Sequence, residues 1–282
     1  MKRLFRILTI IIGALLVLLV CSWYGFCYWA KNSWQTIEPP PCHESWNEQQ
    51  CADLQEIDNA LRSPDIAALA YFCHREQLSP TTQWLMERKW GMLPALLLGW
   101  RDLGMPARAA LHETMRTGKG DVLLPSGIPV ADFALKCHKT ELLKEMIRRG
   151  ADPNHVYISW HTPDYPLHGA IRTTLIWETF DGSSLDFERK ISQEERLELL
   201  EFMHANGGSV STVPNQWLAT TYLMLPIAQT HDNDGGRATA WALRHGMKLS
   251  DEDKQNCVQF MQKHAPERLR ELQQEGLLPE IP

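Results

Sequence analysis

The run Arg148-Arg149-Gly150-Ala151-Asp152-Pro153-Asn154 constrains this chain most, because it ends a short helix that cannot bury its own apolar side. Leu142, Leu143, Met146 and Ile147 recur just before it at helical spacing, so one face of the helix over 141–147 needs a neighbour. Gly150 suits the left-handed position that stops a helix. Pro129 suits the first turn of a preceding helix, where its missing N–H is not needed. Ile128 to Ala134 and Glu141 to Ile147, joined at Lys139-Thr140, therefore read as a helix pair. A lone pair cannot close a core, so further copies are required on either side.

The Gly-Ala-Asp-x-Asn stop and its helix pair together resemble one whole unit of the ankyrin-repeat family. The resemblance implies a solenoid of stacked helix-turn-helix repeats that binds proteins through its hairpin tips and the exposed side of its first helices. Degraded copies flank the central unit. Downstream, Tyr165-Pro166-Leu167-His168-Gly169-Ala170 pairs with Arg196 to Met203, stopped by Asn206-Gly207-Gly208, and Leu225 to Ala228 pairs with Ala238 to Leu249 around Gly246. Upstream, Gly91 to Gly99 pairs with Ala107 to Met115. Weaker still is Leu54 to Leu78, where Ser63-Pro64-Asp65 marks a helix start and Ile66, Leu69, Ala70 and Cys73 give an apolar face. The helix stops fall at about Leu78, Gly118, Gly150, Gly207 and Gly246, and most gaps match the ~33 to 40 residues of helical repeats. The alternative is an irregular helical domain with one chance Gly-Ala-Asp-x-Asn.

The N-terminus carries a second signal. Lys2, Arg3 and Arg6 precede an uncharged stretch from Ile7 to Ala30, long enough at ~1.5 Å per residue to cross a bilayer core of ~30 Å. Trp23, Tyr24, Tyr28 and Trp29 cluster at its far end, as interfacial aromatics do, which favours a retained anchor over a cleaved signal. A lipoprotein processed at Cys21 is a further alternative, although Val20 is a poor residue before such a cysteine. The basic flank places the N-terminus in the cytoplasm and the rest of the chain across a bacterial inner membrane, in the periplasm. The expected division is a basic N-terminus over 1–6, an anchor over 7–30 and a linker over 31–53. Repeats over 54–250, with an insertion at 172–194, and a helical cap and tail over 251–282 complete it.

Residues 1–31 hold four of the 28 basic and none of the 34 acidic residues, so the remainder carries 24 against 34, a formal charge of −10. That balance argues against nucleic-acid binding. Of the seven cysteines, Cys42 and Cys51 form the best candidate disulfide, close in sequence beside a Pro-rich linker. Cys73 and Cys137 occupy apolar helix positions and read as buried small hydrophobes. Cys42-His43, Cys73-His74 and Cys137-His138 read as structural cysteines beside surface histidines: adjacent helical residues point ~100° apart, so neither helical dipeptide makes a two-ligand site by itself, and no Cys-x-x-Cys accompanies them. The His231 to Gly236 run starts like a calcium loop, but Leu243 stands where a closing glutamate is needed. No nucleophile elbow, zinc helix, phosphate loop or dinucleotide fingerprint is present, so no metal, no cofactor and no enzyme activity are expected.

Within the insertion, Thr173 to Phe180 and Leu185 to Ile191 are β-prone and flank Asp181-Gly182-Ser183-Ser184, which predicts a β-hairpin. That hairpin either covers the stack or joins a recognition surface. Trp177 and Phe180 are its candidate contact residues. The resemblance adds Asp152, Asn154, His155, Tyr157, Trp160, His161 and Asp164 as candidate protein-binding residues, with Tyr165 beside them. The expectation is a mostly α, ankyrin-like solenoid with one β-hairpin insertion, preceded by a single transmembrane helix. Its expected function is non-catalytic binding of another protein, namely neutralisation of a secreted toxin such as a type VI secretion effector by an immunity protein. A scaffold or assembly chaperone for an envelope enzyme is one alternative, and an envelope hydrolase with dispersed His and Asp residues is another.

Overall fold

The computed structural model describes residues 11–25, 28, 37–62, 104–158, 172–181, 191–211 and 236–280, and the account that follows concerns these. They are mainly helical. Helix α1 runs over 11–25, followed by α2 (Glu48–Leu61), α3 (Met105–Thr117), α4 (Val130–Lys136) and α5 (Thr140–Arg148). After the short strands β1 (Tyr157–Ile158) and β2 (Arg172–Thr173) come α6 (Leu175–Asp181), α7 (Gln193–Ala205), α8 (Arg237–Arg244), α9 (Asp251–His264) and α10 (Pro266–Gln274).

Two expectations fail at this level. The transmembrane helix over 7–30, and with it the single-pass inner-membrane placement, is overturned: no helix among the described residues is long and apolar enough to cross a membrane. The β-hairpin insertion is overturned as well. Only Arg172–Thr173 is strand, pairing antiparallel with Tyr157–Ile158, and the rest of the β-prone run is helix α6. Burial decides this, since Leu175, Ile176, Trp177 and Phe180 are all at 0–1 % exposure and packing outweighs local β preference. The second half of the expected hairpin, over 182–190, lies outside the described residues, as do the helix expected from Ser63 to Leu78, the 91–99 and 165–170 segments and the Leu225 to Ala228 turn.

The helix ends follow from local chemistry. Asn47 and Gln50 form a reciprocal cap at the start of α2, each side chain accepting from the other's backbone N–H at 2.8 and 3.0 Å. Ser192 and Ser250 cap α7 and α9 by accepting from the N–H groups of Glu195 and Asp253. Pro129 stands at the N-cap of α4, just before its first turn. Gly150 closes the α5 unit at φ 104°, a left-handed conformation that other residues adopt only with strain.

These helices stack in two layers. α4 packs on α5 and α6 on α7 within the pairs; between pairs, α4 meets α6, α5 meets α7, and α7 meets α8. Each buried Leu, Met or Ile on the α5 stripe contributes about 1.5–3 kcal/mol. Ion pairs lace the outer layer: Lys144 joins Glu198 across α5 and α7 at 2.5 Å, and Arg237 joins Glu194 across α8 and α7 at 3.2 Å. The stack has two differently built ends. At the first, α2 lies on α3, α4 and α5 and merges with the main core. At the other, α9 and α10 pack on each other around a separate apolar cluster with Cys257, Met261, Leu269 and Leu272, joined to the stack through Ala240 and Leu243 of α8.

Candidate functional site

The segment between α3 and α4 folds as a small hairpin whose tip is Pro125-Ser126-Gly127. Val130 N–H donates to the Val122 carbonyl (2.9 Å), Leu124 N–H to Ile128 (2.8 Å) and Gly127 N–H to Leu124 (2.8 Å). Gly120 begins it under close constraint, since a Cβ there would sit 2.0 Å from the Met146 carbonyl oxygen. The next loop follows α5 and is tied to both of its neighbours. Asp152 accepts from the Asn154 N–H at 2.8 Å in an Asx turn. The Asn154 side-chain amide donates to the Gly207 carbonyl (2.8 Å) while its oxygen accepts from Ser209 N–H (2.8 Å). His155 Nε2–H donates in the other direction, to the Gly127 carbonyl at 2.8 Å. Three successive loops thus form one continuous row along an edge of the stack.

Not every residue singled out in the sequence belongs to that row. Asp152 is exposed on it, and Asn154 and His155 are half-buried linking members. Tyr157 lies beneath, 3 % exposed, with its hydroxyl donating to Asp132 Oδ1 at 2.7 Å. Trp177 and Phe180 are core residues at 1 % and 0 % exposure, their rings 5.4 Å apart, so their expected place on a recognition surface is corrected: α6 turns both inward. Trp160, His161 and Asp164 lie outside the described residues. Sequence reasoning missed Leu123 and Val156. Apart from α1, Tyr28 and Ile37, these two are the exposed large apolar side chains among the described residues, at 44 % and 42 %. The sequence carries no signal for it: Leu123 stands in the unbroken apolar run Val122-Leu123-Leu124, and only the fold turns it outward.

The first helices offer no such surface. Every residue of α4 is buried, and so is α6 from Leu175 to Phe180. Inside this closed layer lies an ionic cluster: Lys136 Nζ stands 3.0 Å from Asp132 Oδ2, one helical turn away, and 3.5 Å from Glu178 Oε2 on α6. With side chains 0–2 % exposed, the three charges are paired away from solvent and closed to a substrate. Their chemistry is that of a pinned interior.

A second polar cluster clamps the first end of the stack. Asp58, fully buried, accepts from Arg108 Nε (2.8 Å) and Nη2 (3.1 Å), from His112 Nε2 (2.8 Å) and from Arg62 Nη2 (2.7 Å). Burial pushes its carboxyl up, but the hydrogen bonds from His112, Arg108 and Arg62 prevail and hold it well below the usual carboxylate range. Arg62 and Arg108 also donate to the Ile37 carbonyl. Cys42 and Cys51 are joined as a disulfide, enclosing a segment that docks on the ends of α3 and α5. There Trp46 Nε1–H donates to the Thr114 carbonyl (3.0 Å), and the Arg149 guanidinium lies 3.9 Å over the Trp46 ring.

Two further described cysteines are held as thiols. Burial pushes the Cys137 and Cys257 thiols up to about 12, so neither is a ready thiolate at neutral pH. No cluster of three or more His, Cys, Asp or Glu suited to a metal ion is present among the described residues. Compared with known protein families, curated proteins and solved structures, the chain has no match.

Proposed function

We propose that the chain is a non-catalytic protein-binding module that engages its partner through the row of loops at 120–129, 150–157 and 206–211. The observation that carries this reading is the pair Leu123 and Val156, exposed on neighbouring loops that His155 and Gly127 tie together. Exposed apolar side chains on a rigid, polar-rimmed edge are what an interface core needs. The rim is supplied by Asp121, Asp152 and Asn154, and the cross-loop hydrogen bonds fix the surface before binding, so little ordering entropy opposes association. An ankyrin-like stack using its hairpin tips accounts for this arrangement.

For the partner, we propose a secreted effector protein that the module holds inactive. The Cys42–Cys51 disulfide supports action in an oxidising compartment, where such proteins are met. The test is affinity capture of the tagged full chain from its native cells, with identification of bound proteins by mass spectrometry, repeated with Leu123→Asp and Val156→Asp together. Capture of one secreted toxin or hydrolase by the parent chain, lost in the double variant at unchanged thermal stability, is the expected result. Capture that survives the double variant overturns the tip surface, and capture of a resident enzyme instead replaces neutralisation by scaffolding.

A further inference from the structure

Away from the loop row, α7, α8 and α10 enclose a groove of ≈ 270 Å³ whose walls include Leu197, Arg237, Trp241, Arg244, His245 and Arg268. Two of these walls carry orphaned donors. Trp241 is only 6 % exposed and its buried Nε1–H meets no acceptor; the buried Nε–H of Arg268 meets none either. Both groups can only donate, so what would satisfy them is an oxygen acceptor brought from outside the chain.

The same walls indicate which oxygen. Each guanidinium that lines the groove already holds a carboxylate: Arg237 that of Glu194 (3.2 Å), Arg244 that of Glu275 (2.5 Å) and Arg268 that of Glu271. These glutamate side chains are 40–75 % exposed, so the pairs are surface pairs that an incoming carboxylate can replace at little cost. Glu201 also lines the groove, 3.9 Å from His245 Nε2, and gives it a negative rim that an incoming anion must face. For the body of a ligand there are the stacked rings of Trp241 and His245, 4.3 Å apart, and the side chain of Leu197. The volume suits a group of about one residue, below the ~300 Å³ from which pockets for drug-sized molecules begin.

We propose that this groove binds a carboxylate borne on a group of amino-acid size, its oxygens accepting from Trp241 Nε1 and Arg268 Nε while Arg237 and Arg244 supply the countercharge. The site is separate from the loop row and does not depend on the protein-binding reading. A free small carboxylic acid and an acidic or C-terminal residue of a peptide share this chemistry, and the test distinguishes them.

The full chain, labelled with nitrogen-15, is titrated with acetate, with a short peptide containing one glutamate, and with its glutamine twin, both peptides amidated at the C-terminus. The indole N–H resonances are followed, and that of Trp241 is the one missing from Trp241→Phe. The expected result is a saturable downfield movement of this resonance with the glutamate peptide and not its twin, weakened about tenfold or more in Arg268→Gln. Movement with acetate as well assigns the site to free carboxylates, and movement with the peptide alone assigns it to a peptide. Failure of every carboxylate to move the resonance, or equal movement with the glutamine twin, overturns the proposal. If Trp241→Phe does not fold, the same titrations are followed by calorimetry in the parent chain and in Arg268→Gln. Binding of the glutamate peptide that is absent or unchanged by Arg268→Gln then overturns it equally.

Discussion

The two ends of the stack are closed by opposite means. At the first end a buried carboxylate, two arginines, a histidine and a disulfide hold α2 against α3 and the α4–α5 pair. Lys139 adds a second clasp from the α4–α5 turn, reaching the buried Asp53 at 3.1 Å and the exposed Glu56 at 2.6 Å. At the other end α9 and α10 close the stack with an apolar cluster of their own, and the ion pair of Arg244 with Glu275 lies at the surface. A repeat stack must cover its last apolar face somehow. The polar end does so with directional, all-or-none contacts and belongs to the main core, whereas the apolar end does so with a detachable layer. The first end should therefore unfold with the stack and the second ahead of it.

The largest effect is expected at Asp58. Asp58→Ala leaves Arg108 buried without its carboxylate, and loss of one partner from a buried pair costs about 3–5 kcal/mol. Urea unfolding followed by circular dichroism should show that loss in the main transition, and a loss below about 1 kcal/mol would break the contrast drawn between the ends. The pH dependence has a defined sign. The folded carboxyl is held below its unfolded value of ~3.9, so its contribution is complete above that pH and is lost as pH falls further, towards the folded value. Asp58→Asn should flatten this acid limb, measured as unfolding free energy between pH 5 and the acid midpoint.

Next in size is Leu272→Ala, expected to cost about 3 kcal/mol in the α9–α10 cluster. Because that cluster is separate, the loss should fall on local opening and spare the main transition. Cys257 and Cys137 are natural reporters of the two regions, with Cys21, Cys27 and Cys73 replaced by serine. In Leu272→Ala, Cys257 should react with a thiol reagent roughly a hundredfold faster while Cys137 is unchanged. Equal acceleration at both would mean that the stack and its second end are one cooperative unit. Replacing Cys42 and Cys51 by serine should follow, at about 2–3 kcal/mol for the loop they close, with the whole loss in the main transition.

How much of this was legible in the sequence depended on how local the deciding physics is. Gly118, Gly150, Gly207 and Gly246 marked helix ends because a left-handed stop is a property of one residue, and all four have positive φ. The run from Thr173 misled because Thr, Ile, Trp and Phe favour strands in isolation, whereas burial of Leu175, Trp177 and Phe180 against neighbouring helices decided for α6. The N-terminal stretch was read from hydropathy alone, and no helix among the described residues is both long and apolar enough to cross a membrane. At the candidate site, Asp152 and Asn154 were legible through the repeat-like punctuation. Leu123 and Val156 were not, since nothing along the chain announces that their two loops lie side by side. The ionic interior was equally hidden. Asp132 and Lys136 are one turn apart on one helix, but Glu178 reaches them only through the stacking of α4 on α6.

The smallest expected effect lies between the two ends, at Asn154, and it tests whether the loop row is a unit of its own. Asn154→Ala deletes the bonds to the Gly207 carbonyl and the Ser209 N–H and keeps the Asp152 turn, whose carboxylate accepts from the backbone N–H of residue 154. Because the amide is half-buried and water can replace part of what is lost, the cost should be about 1 kcal/mol. Its signature is local. Hydrogen exchange at Ser209 should accelerate several-fold, while the His155 bond to Gly127 keeps the two preceding loops together and exchange at Gly127 stays as it was. Thiol reactivity at Cys257 should not move, because no bond of Asn154 reaches the second end. If Cys257 does respond, loosening of the third loop is being transmitted through α7 and α8 to α9 and α10, and the end described as detachable is coupled to the binding edge.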